Sequence, residues 1–308
     1  MKLLVVGSVA YDAIETPFGK TDKILGGAGT YISLAASYAG AQPQVVSVVG
    51  GDFEKKYFTL LENHKVDIQG IQVKKDEKTF FWAGKYHNDM NSRDTLATEL
   101  NSLGTFNPVV PEAYKNTEFL ILGNLSPDVQ RKVIEQMAVR PRLIIMDTMN
   151  FWMNTMLQEL KNTIAMVDVL SVNDEEARQL SGEYSLIKAA KAIQKMGPHY
   201  VIIKKGEHGA LLFNDTQVFF APALPLEEVF DPTGAGDTFA GGFAGYLAKN
   251  GDISFNSMKN AVIFGSALAS FCVEKFGTER LQNLTKEEIY DRVLKFVDLV
   301  NFDYKANK

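Results

Sequence analysis

Apolar residues along this 308-residue chain gather into short continuous runs: LLVV at 3–6, VVSVV at 45–49, FLIL at 119–122, LIIM at 143–146, VDVLSV at 167–172, YVII at 200–203 and ALLF at 210–213. Runs that do not alternate with polar residues suit strands covered on both faces, as in a parallel sheet. The segments between them read as helices. Residues 29–39 are small and apolar, 128–138 and 185–196 repeat apolar positions at helical spacing, and the C-terminal third carries helical patterns over 235–249, 257–275 and 285–300. Strand and helix in alternation predict an α/β fold, a three-layer α/β/α sandwich around a mostly parallel sheet.

Residues 65–105 break the rhythm, alternating polar with apolar or aromatic positions and holding no helical pattern. That predicts antiparallel strands with one wet face, a small β-sheet inserted into the α/β body and suited to covering a ligand. With no repeat, linker or low-complexity stretch, residues 1–308 read as one domain.

Composition narrows the partners. The chain is 46% apolar and 22% charged, enough for a large core. A net charge of −5, with Lys and Arg scattered, excludes a broad nucleic-acid surface. The longest apolar stretch, 261–273, is too short to span a bilayer, and Gly7 and Asp12 interrupt the N-terminus too early for a signal peptide. A cytoplasmic location with no membrane or nucleic-acid partner is expected. The single cysteine, Cys272, lies in an apolar stretch and reads as an inert core thiol. His64, His87, His199 and His208 show no zinc-ligand spacing.

The densest chemistry is DPTGAGDTFAGGF at 231–243. Glycine is disfavoured inside regular elements, yet this stretch runs straight into Phe239, Phe243, Tyr246 and Leu247 at helical spacing. Gly234, Ala235 and Gly236 should therefore form the first turn of a helix, where N–H groups lack partners and the dipole is positive. Small residues let an anion reach that backbone, which fits a phosphoryl group in transfer. Asp237 is placed in the same turn to accept a hydroxyl proton. A helix cap alone would account for a generic Gly-x-Gly-Asp. Asn173, followed by Glu176, reads as a capping box on another helix.

Four further elements accompany DPTGAGD. They are Gly7-Ser8 with Asp12 and then Gly26-Gly27-Ala28-Gly29; Gly50-Gly51-Asp52; Asn173-Asp174-Glu175-Glu176; and Lys205-Gly206-Glu207-His208-Gly209. In order and spacing the set resembles the PfkB (ribokinase-like) carbohydrate kinases over residues 3–300. The resemblance implies a ribokinase-like sandwich with a β-lid drawn from 13–22 and 68–104, and ATP-dependent phosphorylation of a hydroxymethyl group on a sugar or sugar derivative. It implies Asp237 as base and Gly234, Ala235 and Gly236 as anion hole. Asp12, Gly26, Gly27 and Tyr31, with the lid residues Trp82 and Arg93, would meet the acceptor. Asn173, Glu176, Lys204, Gly206, Gly209 and Asn260 would border the nucleotide, with Mg²⁺ held through water by Glu176 and K⁺ at Asp231. A homodimer joined through the lids belongs to the same expectation. Within the lid, Trp82, Tyr86, Asn91 and Arg93 suggest a specific pocket, Arg93 pairing with a carboxylate or phosphate of the acceptor; packing of the lid or a dimer interface is the alternative.

Departures cluster on the acceptor side. Tyr31 stands where relatives often have Asn, Ser33 where they have Ala, Ala28 where ribokinases have Lys, and Asp147-Thr148-Met149-Asn150-Phe151 where they have D-x-N-x-R. Ribose, fructose and ketodeoxygluconate are therefore not implied. A nucleoside kinase of the same fold is the alternative; a non-catalytic sugar or nucleotide sensor is disfavoured by the intact Asp237, Asn173 and Glu176. A P-loop is excluded, because Ile14 stands where Gly19-Lys20-Thr21 would need glycine, and the dinucleotide fingerprint is missing after the first strand.

Overall fold

The computed structural model describes residues 1–301, so the single-domain expectation for 302–308 lies outside the described residues. The chain opens with β1 (Lys2–Val6), then lays down β2 (Ala10–Thr16), β3 (Gly19–Lys20) and β4 (Ile24–Gly26) before α1 (Ala28–Tyr38). β5 (Gln42–Gly50), α2 (Lys55–Asn63) and β6 (Asp67–Lys74) follow, then β7 (Phe81–Tyr86) and β8 (Arg93–Glu99). The central part alternates β9 (Phe119–Leu122), α3 (Pro127–Gln136), β10 (Leu143–Asp147), α4 (Asn150–Thr155), α5 (Leu157–Ile164), β11 (Val169–Asn173), α6 (Asp174–Ser181), α7 (Leu186–Gln194) and β12 (Tyr200–Lys204). A hairpin, β13 (Ala210–Phe213) and β14 (Val218–Ala221), leads to α8 (Ala235–Asn250), α9 (Phe255–Cys272) and α10 (Lys286–Val300).

Nine strands form one sheet in the order β14-β13-β12-β11-β10-β9-β1-β5-β6, parallel except for β13 and β14. The continuous apolar runs are its central strands, covered on both faces as their sequence requires. One core lies between the sheet and α1, α8 and α9, around Val5, Ile145, Ile202, Phe243 and Leu268; the other lies under α3, α5, α6 and α7, around Val6, Met146, Leu170 and Ile193. This is the expected three-layer sandwich. Small residues on α8 bring its neighbours close. A Cβ on Gly241 would stand 2.3 Å from the Ile32 carbonyl of α1, one on Gly245 2.7 Å from the Ala36 Cα, and one on Gly242 2.9 Å from the Gly265 Cα of α9.

The small sheet is built from β3-β2-β7-β8, with β4 also paired to β2. Its boundaries differ from the expected 13–22 and 68–104. Residues 67–74 are β6, an edge strand of the main sheet parallel to β5, so the second lid segment begins at Phe81. An edge strand has one side half exposed and therefore alternates polar with apolar residues, the pattern that a lid strand also shows. The expected antiparallel pairing holds for β7–β8 but not for β2–β7, which is parallel. Among the described residues no helix is long and apolar enough to cross a membrane.

Candidate active site

The carboxyl ends of β10, β11 and β12 lie beside the first turn of α8, the crevice where open α/β sheets place ligands. Gly234 is the N-cap of α8 with φ 75°, and a Cβ there would stand 2.4 Å from the Tyr31 ring. Glycine is required both by that left-handed backbone and by the ring across it. The Ala235 N–H turns back onto the Pro232 carbonyl at 3.2 Å, while no acceptor meets the N–H of Gly234, Gly236 or Asp237 among the described residues. Those three free donors at a positive helix end are what an anion would find.

Asp237 is pushed up to about 7, by burial and by the Asp147 carboxylate, against the pull of Lys204 and Arg93. A carboxylate in that range is tuned for proton abstraction near neutrality. Asp231 opens the same loop but is fully buried, its Oδ1 accepting the Thr233 N–H at 2.8 Å and its Oδ2 the Gly277 N–H at 2.7 Å. It ties the loop to the segment after α9. Cys272, buried, donates to the Thr233 carbonyl at 3.5 Å, and burial pushes its thiol up to about 12, so it packs rather than reacts.

On the acceptor side, Asp12 on β2 reaches the same crevice. Its carboxyl fills the space a side chain at position 26 would need: a Cβ on Gly26 would stand 1.9 Å from Asp12 Oδ2. Burial, then the charge of Asp231, raise Asp12 to about 7, and the Gly27 N–H pulls it back. Tyr31 is buried, and its hydroxyl has no partner although Asp12, Asp231 and Tyr86 lie around it. Opposite, Trp82 on β7 stands in register with Asp12. Its six-membered ring lies where a side chain at Gly84 would be, 2.1 Å from the built Cβ, so the indole is flat against the strand.

The small sheet and the turn between β7 and β8 approach the other side of the crevice at three points. The Thr233 hydroxyl bonds the Tyr86 hydroxyl at 3.2 Å. Asn91 Oδ1 lies 3.3 Å from a Cβ built on Gly206. The Arg93 guanidinium, 5.8 Å from the Trp82 ring centre, is close enough to lower both Asp237 and Glu176. Arg93 thus lies near Asp237 and Glu176 as well as near Trp82.

Asn173 and Glu176 form the expected capping box: Asn173 Oδ1 accepts the Glu176 N–H and Glu176 Oε2 accepts the Asn173 N–H, each at 2.7 Å. The cap uses Oε2 only, leaving Oε1 for a solvated cation. Burial drives Glu176 up to about 7 despite Lys204. Gly209 needs no ligand to explain it, since a Cβ there would stand 2.0 Å from the Ala221 carbonyl. Asn260 is exposed on α9 and makes no hydrogen bond to this cluster. Sequence reasoning read Asp147 only as part of a departure and left Thr233 without a role; Asp147's place at the end of a buried strand was the available signal.

The chain matches known proteins over most of its length. A family model described as pfkB family carbohydrate kinase matches residues 1–285. A cytidine kinase of Thermococcus kodakarensis is 30% identical over 253 residues, 80% of this chain and 88% of that protein. A nucleoside kinase of Methanothermobacter thermautotrophicus is 28% identical over 306 residues, 90% of this chain and 91% of its own length. Among solved structures, one described as a ribokinase II of E. coli, with ATP and Mg²⁺ bound, superposes with a TM-score of 0.81 at 20% identity, covering 96% of this chain and 99% of that one.

Proposed function

Because this chain belongs to the pfkB family of carbohydrate kinases, we propose that its acceptor is a nucleoside, phosphorylated on the hydroxymethyl group of its sugar. ATP-dependent phosphorylation of a sugar or nucleoside is the chemistry of the family and of its relatives. The nucleoside reading rests on one observation: Trp82 lies flat in register with Asp12, an aromatic face beside the carboxylate that would hold sugar hydroxyls. A nucleobase gains about 1–3 kcal/mol from such stacking. The names of the two relatives support it.

In this reading Asp12 and the orphan Tyr31 hydroxyl hold the sugar, Asp237 takes the proton of the attacking hydroxyl, and the Gly236 and Asp237 N–H groups hold the phosphoryl being transferred. Lys204, Gly206 and the Asn173–Glu176 cap border the nucleotide. Mg²⁺, held through water by the free oxygen of Glu176, would neutralise phosphate charge. At Asp231 the two N–H donors leave a lone pair on each oxygen for a monovalent cation, so K⁺ would stiffen the loop and raise the rate. The exposed edge of β8 is the face through which two lids would join in a dimer, and the cytoplasm, where ATP is available, is the location that fits.

An ADP-release screen with ATP and Mg²⁺, with and without K⁺, over nucleosides, free sugars, sugar acids and sugar phosphates tests this. Nucleosides should give the highest kcat/KM. Turnover confined to free sugars or their acids would overturn the nucleoside assignment, and equal rates without K⁺ would remove the cation from Asp231.

A further inference from the structure

The parallel register sets Asp147 beside Ser171 and Asn173 beside Lys204. These positions share the sheet face of Ile145, Val169 and Ile202, which packs into the core that α8 belongs to. Lys204 therefore points under the α8 N-terminus and reaches across β11 to Asp147. Its Nζ donates to Asp147 Oδ2 at 3.0 Å and Oδ1 at 3.2 Å. Both side chains are largely buried, 18% and 8% exposed. Asp147 is itself fixed: its Oδ1 accepts the Thr148 N–H at 2.9 Å, and Gln130 Nε2 donates to its carbonyl at 3.0 Å.

A buried ion pair is weak support for stability, since apolar residues of similar volume commonly do as well. Its position offers another reason. A Cβ on Gly236 would stand 3.4 Å from Lys204 Nζ, so the ammonium sits beside the turn that carries the free N–H groups. Burial would push Lys204 down, but the carboxylates of Asp147 and Glu176 outweigh it and keep the amine charged. Two of its three N–H bonds go to Asp147; the third is available.

We infer that Lys204 is the fixed cation of the phosphoryl-transfer step, held in place by Asp147. This rests on Asp237 being the base. The acceptor O–H proton passes to the Asp237 carboxylate, the acceptor oxygen bonds the γ-phosphorus, and the bond from that phosphorus to the β,γ-bridging oxygen breaks, its electrons leaving with ADP. Lys204 gives up no proton; it offsets the charge that gathers on the phosphoryl and bridging oxygens. Asp147 acts through Lys204 and is a positioning residue.

The test compares wild type with Lys204→Met, Lys204→Arg, the double variant Lys204→Met/Asp147→Asn, and Asp237→Asn, using the best acceptor from the screen. Lys204→Met should lower kcat about 10²- to 10³-fold while leaving the acceptor KM within about threefold. Its acid limb in kcat/KM should move to higher pH. The groups facing Asp237 are Asp147 from β10, Lys204 from β12, Arg93 from β8 and Asp12 from β2, so losing the lysine leaves the Asp147 charge opposed by Arg93 alone. Lys204→Arg should recover at least about a tenth of kcat, because it restores the charge. The double variant removes both buried charges and so should keep the melting temperature. It should return the acid limb toward the wild-type position without returning kcat, a split that a merely structural pair would not show. A double variant with wild-type kcat would overturn the inference. Near-wild-type turnover in Asp237→Asn would instead overturn the base assignment, and the kcat of the double variant would still decide the role of Lys204.

Discussion

The two walls of the active site are held in different ways. The wall made by β10–β12 and α8 is fixed by neighbours on every side. Its strands are buried on both faces, Asp231 is clamped by two backbone N–H groups, and α8 touches α1 and α9 backbone to backbone. The other wall is a small sheet whose outer strand, β8, is almost wholly exposed, and it meets the first wall through the Tyr86–Thr233 hydrogen bond and the reach of Asn91 and Arg93. Reaction chemistry needs placement within a fraction of an ångström; acceptor choice needs a surface that can be altered or moved. Under the proposed function, the difference would give phosphoryl transfer to the first wall and specificity to the second.

The most severe way to break that division is Asp237→Asn. Loss of a general base should cost about 10²- to 10⁴-fold in kcat, with substrate KM values little changed. In wild type, kcat/KM should rise with pH and level off as Asp237 ionises near 7. The same shift has a stability sign. A carboxyl raised in the folded state favours the fold at low pH, and that contribution is lost as pH rises through the folded value. Asp237→Asn, which has no charge to bury, should therefore melt above wild type at pH 8, and the gap should narrow as pH falls below the folded value and close near pH 4, where the unfolded carboxyl is protonated as well. An equal melting point at pH 8 would show that Asp237 is not ionised against its burial.

Trp82→Ala sharpens the other half of the comparison. It should raise the acceptor KM about tenfold, the size of one stacking contact, and leave the ATP KM within twofold of about its wild-type value. A parallel rise in both would show that the lid supports the whole site. Tyr86→Phe is the smallest change expected. It removes one neutral hydrogen bond, worth about 1 kcal/mol, so kcat/KM should fall about fivefold. An unchanged value would mean that the lid and the 231–237 loop are not coupled through Thr233.

The sequence made the first wall legible because its signals are local. DPTGAGD spans seven consecutive residues, the capping box spans four, and short continuous apolar runs suit strands covered on both faces. The second wall was legible in kind but not in extent. The alternation of DIQGIQVK arises from an edge of the main sheet and resembles the alternation of the lid. The Lys204–Asp147 pair was hidden for a different reason: its members are 57 residues apart and meet only through the register of three strands. The nearness of Arg93 to Asp237 and Glu176 depends on how the small sheet sits over the strand ends, which no local pattern encodes. The glycines needed another distinction. Gly26 and Gly84 make room for Asp12 and Trp82, whereas Gly209 makes room for a neighbouring strand.

The close seating of α8 against α1 and α9 also bears on how such an enzyme can diversify. A helix whose glycines leave no gap for a methyl group cannot slide to suit a new acceptor. Variation in substrate range is then channelled into the small sheet, where exposed positions such as those of β8 tolerate replacement without disturbing the catalytic helix. A library confined to β7, β8 and the turn between them would explore acceptors while leaving the packing of α8 in place.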